Sequence, residues 1–228
     1  MRKFMYPRPY IHYSGKGYDI ATPSDFVEYQ FNEGLTALIG GNGTGKSTLL
    51  QRLRVSLKEE GIKNLYFNLS AENKEMNMKH NKSESFLPTC IQSSTGEQHS
   101  LHIGDMAQEI GANIRGGKDK ELWILIDAID DGLSLDIAGE VEKYLFRNIS
   151  KDIDKEANKG RHIYVVFSVN NFEVLGNHAK INIATGEEEN IDSYEDFRRA
   201  VFRINVITKN AREDFYNRLD KLEGGKWL

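Results

Sequence analysis

The stretch "LIGGNGTGKSTLL", Leu38–Leu50, sets four glycines around an adjacent lysine and serine. Gly40, Gly45, Lys46 and Ser47 fit the pattern G-x-x-x-x-G-K-S, whose chemistry is phosphate binding. Glycines let the backbone curl until its amide N–H groups face an anion, and the helix that opens behind them adds partial positive charge. The nucleotide-binding residues expected from this pattern are Gly40, Gly41, Asn42, Gly43, Thr44, Gly45, Lys46, Ser47 and Thr48. Lys46 is expected on the terminal phosphates of ATP, and Ser47 on Mg²⁺. That metal also needs a carboxylate at the end of a neighbouring strand. "LWILID", Leu122–Asp127, supplies Asp127 behind a run of apolar residues.

These residues need elements to hold them. "DFVEYQF" (Asp25–Phe31) alternates apolar and polar residues, as a half-buried strand does, and "NEG" (Asn32–Gly34) reads as a turn. "LTALIG" (Leu35–Gly40) is a buried strand feeding the glycine loop. Leu49, Leu50, Leu53 and Leu57 fall at helical spacing, which predicts a helix from Lys46 to about Glu60 ended by Gly61. Further strands are expected at "NLYFNLS" (Asn64–Ser70), "ELWILIDAID" (Glu121–Asp130), "RHIYVVFSVNN" (Arg161–Asn171) and "AKINIATG" (Ala179–Gly186). A C-terminal helix is expected over residues 193–222, its start marked by the acidic "DSYED". Residues 71–92 are polar and read as a small insertion. Strands alternating with helices imply one α/β domain over residues 1–228 with a mostly parallel sheet.

Two more stretches bracket the strand that ends in Asp127. "SSTGEQ" (Ser93–Gln98) precedes it and "DGLSLD" (Asp131–Asp136) follows it. With the loop at residues 40–47, this order resembles the ABC-type P-loop ATPases, in particular the soluble branch that includes the structural-maintenance-of-chromosomes and OLD-like ATPases. The resemblance spans about residues 35–171. It implies a P-loop NTPase fold with a reduced helical subdomain, Mg²⁺ and ATP as cofactors, and an ATP-dependent homodimer. In that family a signature motif offers Ser and Gly to the γ-phosphate held by the other subunit. Ser94, Gly96 and Glu97 match it, while Leu133 and Asp136 match the segment that crosses the dimer interface. The resemblance also implies that Asp127 holds the metal.

The chain departs from the family where hydrolysis happens. The family places a glutamate directly after the aspartate of this strand, where it positions the attacking water; this chain has Ala128. The family's histidine at the end of the next strand aligns with Asn170, which can hydrogen-bond a phosphate but not take its proton. The expectation is therefore a nucleotide-dependent switch with slow or impaired hydrolysis. A competent ATPase using Asp130 as surrogate base, or a partner's residue, is one alternative, and a small-molecule P-loop kinase is another. Asn68 is the nearest candidate for the family's glutamine loop, and Tyr13 and Tyr18 for adenine stacking. The family's long coiled-coil insertion has no room between Ser47 and Ser93.

Composition bounds the rest. A net charge of −4 over 228 residues raises no global field for nucleic acid. Arg2, Lys3, Arg8 and Lys16, interleaved with tyrosines, leave nucleic acid possible, although a plain N-terminal strand explains them better, and the arginines at 198, 199 and 203 read as a solvated helix face. The single cysteine, Cys90, permits no internal disulfide and fits a reducing compartment. The absence of a signal segment or membrane-length apolar run suggests a cytoplasmic protein with no membrane association. An unidentified protein partner is expected to receive the output of the switch.

Overall fold

The computed structural model describes residues 1–11, 21–69, 95–131 and 133–222. The expected insertion at residues 71–92, Ser94, Cys90 and the candidate stacking residues Tyr13 and Tyr18 lie outside them.

Five parallel strands form the central sheet in the order β4 (Lys63–Asn68), β5 (Glu121–Asp127), β6 (His162–Val169), β3 (Gly34–Ile39) and β7 (Ala179–Asn182). The fold is α/β, as the alternating pattern predicts. Leu122 to Ile126 are fully buried in β5, and Ile163 to Val169 almost so in β6, because helices or strands cover both faces of a parallel sheet. Gly34, expected in the turn, instead opens β3 at φ +94°. The observed strands match the expected segments but stop earlier at their C-terminal ends, where the chain leaves the sheet to form loops. β1 (Arg2–Pro7) and β2 (Phe26–Phe31) make a separate antiparallel pair, from Arg2 opposite Phe31 to Pro7 opposite Phe26. Phe4, Tyr6, Val27, Tyr29 and Phe31 turn inward. Phe4 and Phe31 meet Trp123 edge-on at 5.5 and 5.6 Å, while Trp123 stacks on Tyr164 at 4.3 Å. The basic residues of β1 have internal partners: Arg2 pairs with Glu60 and Glu121, and Lys3 with Glu28.

Helix α1 (Lys46–Glu59) buries Leu49, Leu50, Leu53 and Leu57 between the sheet and β1. It ends as its sequence predicts: Gly61 takes φ +69°, and the N–H groups of Gly61 and Ile62 close onto the carbonyls of Lys58 and Leu57. Helix α2 (Thr95–Gly116) leads into β5. After β5 come α3 (Leu135–Glu140), a π-helical turn (Val141–Phe146) and α4 (Arg147–Ile153); Phe146 of the turn stacks on Phe167 of β6 at 4.2 Å. The C-terminal helix α5 (Tyr194–Leu222) runs for 29 residues. Among the described residues no helix is long and apolar enough to cross a membrane.

One ion pair ties α5 to the start of β2. Arg218 Nη2 donates to both carboxylate oxygens of Asp25 at 2.7 Å, and Thr22 N and Oγ1 donate to Oδ2. Burial pushes the Asp25 carboxyl up, but these hydrogen bonds outweigh it and hold it below the usual aspartate range. A carboxylate depressed on folding adds stability above its unfolded pKa of about 3.9 and loses it as pH falls through the folded value. Arg218→Met strands that buried carboxylate, so it is expected to destabilise the protein at pH 7 by about 3 kcal/mol. The deficit should shrink below about pH 4, where Asp25 takes up a proton. Urea unfolding of both proteins across this range is the measurement, and a deficit independent of pH would remove Asp25 from the account.

Candidate functional site

The glycine loop leaves β3 at Gly40 and enters α1 at Lys46. Thr44 N and Oγ1 both reach back to the Gly41 carbonyl, at 3.4 and 2.7 Å, which closes residues 41–44 into a turn. Gly43 at φ +74° occupies its third position, where a side chain would be strained. Gly45 caps the helix at φ +105° with no side chain satisfying the first N–H groups. An uncapped helix start of this kind is a ready anion site.

Three separate parts of the chain press on this loop. A Cβ on Gly40 would lie 2.6 Å from Ile183 and 3.2 Å from Ile204; one on Gly41 would lie 2.4 Å from Asn205; one on Gly45 would lie 1.9 Å from the ring of Pro9. The glycines therefore serve packing as well as curvature. On α5, Asn205 touches the loop, and two helical turns later Arg212 Nη2 donates to the Gly43 carbonyl at 3.2 Å.

Lys46 folds back over the loop. Its Nζ donates to the carbonyls of Gly40 and Gly41 at 2.6 and 3.0 Å and to Asn170 Oδ1 at 2.9 Å. Burial pulls its pKa down to about 8, although Asp130 and Asp127 work against the fall. The sheet order makes the Asn170 contact possible, because β6 lies between β3 and β5. Ser47 Oγ donates to Asp127 Oδ1 at 3.1 Å, so the two expected metal ligands, separated by 80 residues in sequence, already touch.

Sequence reasoning missed Ser168. Its hydroxyl donates to Asp127 Oδ1 at 2.7 Å and accepts from Ala128 N at 2.8 Å, pinning the end of β5 to β6. The signal was there: a lone hydroxyl inside the otherwise apolar "VVFSV". Tyr66 was also missed. It receives a hydrogen bond from Gln51 at 2.7 Å and donates to Asp127 Oδ2 at 3.4 Å. Asn68, at the end of β4, stands level with Asp127 in the sheet.

Ala128 takes φ +56°, uncommon for a residue with a Cβ. A turn follows there, with Asp131 N donating to the Ala128 carbonyl at 3.2 Å. Asp130 is buried, does not line the cavity over the loop, and accepts from the backbone N–H groups of Asn170 and Asn171 at 2.7 and 2.5 Å. Burial raises its pKa despite those bonds. It thereby fastens the backbone at Asn170 and Asn171 to the turn after β5. Asp131, which sequence reasoning passed over, does line the cavity.

That cavity holds about 460 Å³, within the range of small-ligand sites. Its walls come from the loop and α1 (Gly41, Asn42, Gly43, and Gly45 to Thr48), from the ends of β5 and β6 and the turns after them (Asp127, Ala128, Asp131, Ser168, Asn170), and from Pro9, Tyr10 and Arg212; Thr44 does not line it. Of the signature residues, Gly96 and Glu97 lie in the first turn of α2. Leu133 packs on the core, and Asp136 lies within α3. The larger cleft of about 630 Å³ between β2 and the segment after β7 contains none of the residues expected to bind nucleotide or metal. The chain matches no protein-family model, and no curated protein is similar enough to register a match.

Gly45→Ala combines backbone strain with a clash against Pro9. It is expected to destabilise the protein by at least about 2 kcal/mol. Pro9→Gly in that background should relieve the steric part and leave the strain, so the double mutant should be more stable than the two single effects sum to. Denaturant titration of the four proteins decides it; strict additivity would mean that Pro9 does not bear on the loop.

Proposed function

We propose that the chain binds Mg·ATP in the cavity over the glycine loop, closes into a homodimer around it, and acts as a nucleotide-dependent switch with slow hydrolysis. The observation that carries this reading is the convergence of Ser47 and Asp127 at 3.1 Å beside the Lys46 ammonium and an uncapped helix start. A hydroxyl and one carboxylate, completed by phosphate oxygens and water, suit Mg²⁺, which seldom takes an all-protein cage. Bound there, Mg²⁺ would neutralise phosphate charge. Lys46 would leave the loop carbonyls for the terminal phosphates, and the Asn170 amide, released from Lys46, could offer its NH₂ to a phosphate oxygen. Gly41 and Gly43 would face the phosphates with backbone alone.

Slow turnover follows from the methyl group at Ala128, which cannot orient water, and from the engagement of Asp130 with Asn170. On the family resemblance, Ser94 and the α2 start with Gly96 and Glu97 would meet the γ-phosphate held by the partner chain, so that ATP favours the closed dimer by differential affinity. A partner protein, or less readily nucleic acid, would read the closed state. One observation favours a second reading, that of a competent ATPase: Asp131 lines the cavity and carries a carboxylate.

Calorimetry with ATP in Mg²⁺ and in EDTA, beside light scattering for mass, tests the proposal. Wild-type protein is expected to bind ATP with Mg²⁺ and double its mass. Lys46→Ala should lose binding, and Ser94→Arg should bind ATP as a monomer. A Lys46→Ala protein with wild-type affinity would sink the assignment of the loop.

Ala128→Glu restores a carboxylate on the cavity wall at the same backbone strain, and is expected to raise ATP turnover by about tenfold or more. Asp131→Asn should leave wild-type turnover unchanged. Brisk wild-type hydrolysis that Asp131→Asn abolishes would replace the switch with the ATPase.

A further inference from the structure

The proposed chemistry uses one end of the cavity. Lys46, Ser47, Asp127 and Asn170 hold the terminal phosphates and the metal, and they come from the β3–α1 loop and the ends of β5 and β6. Pro9, Tyr10 and Arg212 line the cavity as well and come from other parts of the chain. A nucleotide whose terminal phosphates sit at the first end can lay its sugar and base along these residues.

We propose that Arg212, held against the ring of Tyr10, receives the nucleoside end of the bound nucleotide, its planar guanidinium stacking on the base. This rests on the reading of the loop as an ATP site. Several observations point to Arg212. Its Cζ lies 5.9 Å from the centre of the Tyr10 ring while Nη2 holds the Gly43 carbonyl. The guanidinium is thus oriented by two contacts at the cavity edge, and its side chain is exposed. Elsewhere on α5, Arg203 and Arg218 are neutralised by Glu189 and Asp25, whereas Arg212 forms no ion pair among the described residues. A planar cation stacks on aromatic faces as an ammonium cannot, and a base is such a face. Tyr10 supplies a ring and not a hydroxyl. Its ring packs on Phe215 at 5.4 Å, yet its buried OH has no hydrogen-bond partner among the described residues. A buried hydroxyl without a partner costs stability, so the residue is there for its face.

Calorimetry with three probes, each with Mg²⁺ and the full chain, separates the possibilities: ATP, ADP and inorganic triphosphate. Arg212→Gln is expected to weaken ATP and ADP equally, by about tenfold, and to leave triphosphate unchanged. Arg212→Lys should behave like Arg212→Gln, because it keeps the charge and loses the plane. Unchanged ATP and ADP affinity in Arg212→Gln would overturn the proposal. So would a loss of triphosphate affinity in step with ATP, which would make Arg212 a phosphate ligand, or full rescue by lysine. A wild-type protein that binds none of the three probes would instead overturn the ATP-site reading itself. Thermal melts of each variant guard the comparison; Arg212 lies on the surface and its replacement should not disturb the fold.

Discussion

A lysine ammonium removed from water must be met by oxygen, and that requirement organises this structure. Lys46 is 7% exposed, and its partners are the carbonyls of Gly40 and Gly41 and the side chain of Asn170. Two of the three come from the loop that carries it. The third comes from β6, so β6 must lie next to β3. Placing β6 there pushes β5 one strand further out, and Asp127 reaches Ser47 only because β5 ends level with the loop. Ser168 and Asp130 then act as braces. One fastens β5 to β6 through Asp127 and Ala128; the other fixes the turn that carries Asn170. Each polar side chain in the site is thus held by another, which is how a constellation stays within tolerance of a geometry it needs.

The glycine loop is the complement of this arrangement. With side chains at positions 40, 41 and 45 it could not fit between Ile183, Asn205 and Pro9. The contacts reach it from three directions, namely the segment after β7, helix α5 and the segment after β1. The aromatic cluster around Trp123 and the Arg218–Asp25 pair hold the β1–β2 pair and α5 against the rest of the chain. A feature that looks like flexibility in sequence is an immobilised surface in structure.

Much of this was legible from residue order. The strands, α1 with its glycine stop and the long α5 each follow from a period or a terminator confined to a short window. The loop, Asp127 and Asn170 followed from local patterns, and the structure brings them together. What escaped reading has physical reasons. The contacts of Asp130 with the backbone of Asn170 and Asn171 could not be read, since they depend on a turn that opens at a left-handed alanine, and sequence carries no mark of a strained alanine. Ser168 could have been found as one hydroxyl in an apolar run. Pro9, Asn205 and Arg212 could not, since nothing in their neighbours announces a loop to which they are distant in sequence. The basic residues near position 1 read as a plain strand, but the elements against which β1 buries its face were not legible, because the pattern does not contain them.

The distance along the chain between Gly43 and Arg212 has a consequence for how the protein comes into being. The two are 169 residues apart, and Asp25 and Arg218 are 193 apart. Contacts of such separation form late, because the entropy of closing so long a stretch must be met before they contribute. The glycine loop is made before α5 and folds onto α1 by local bonds, so the helix that braces it arrives later in synthesis. During that interval the loop lacks Ile204, Asn205 and Arg212. Assembly of the site thereby waits for α5: a chain interrupted before that helix carries the motif without its brace.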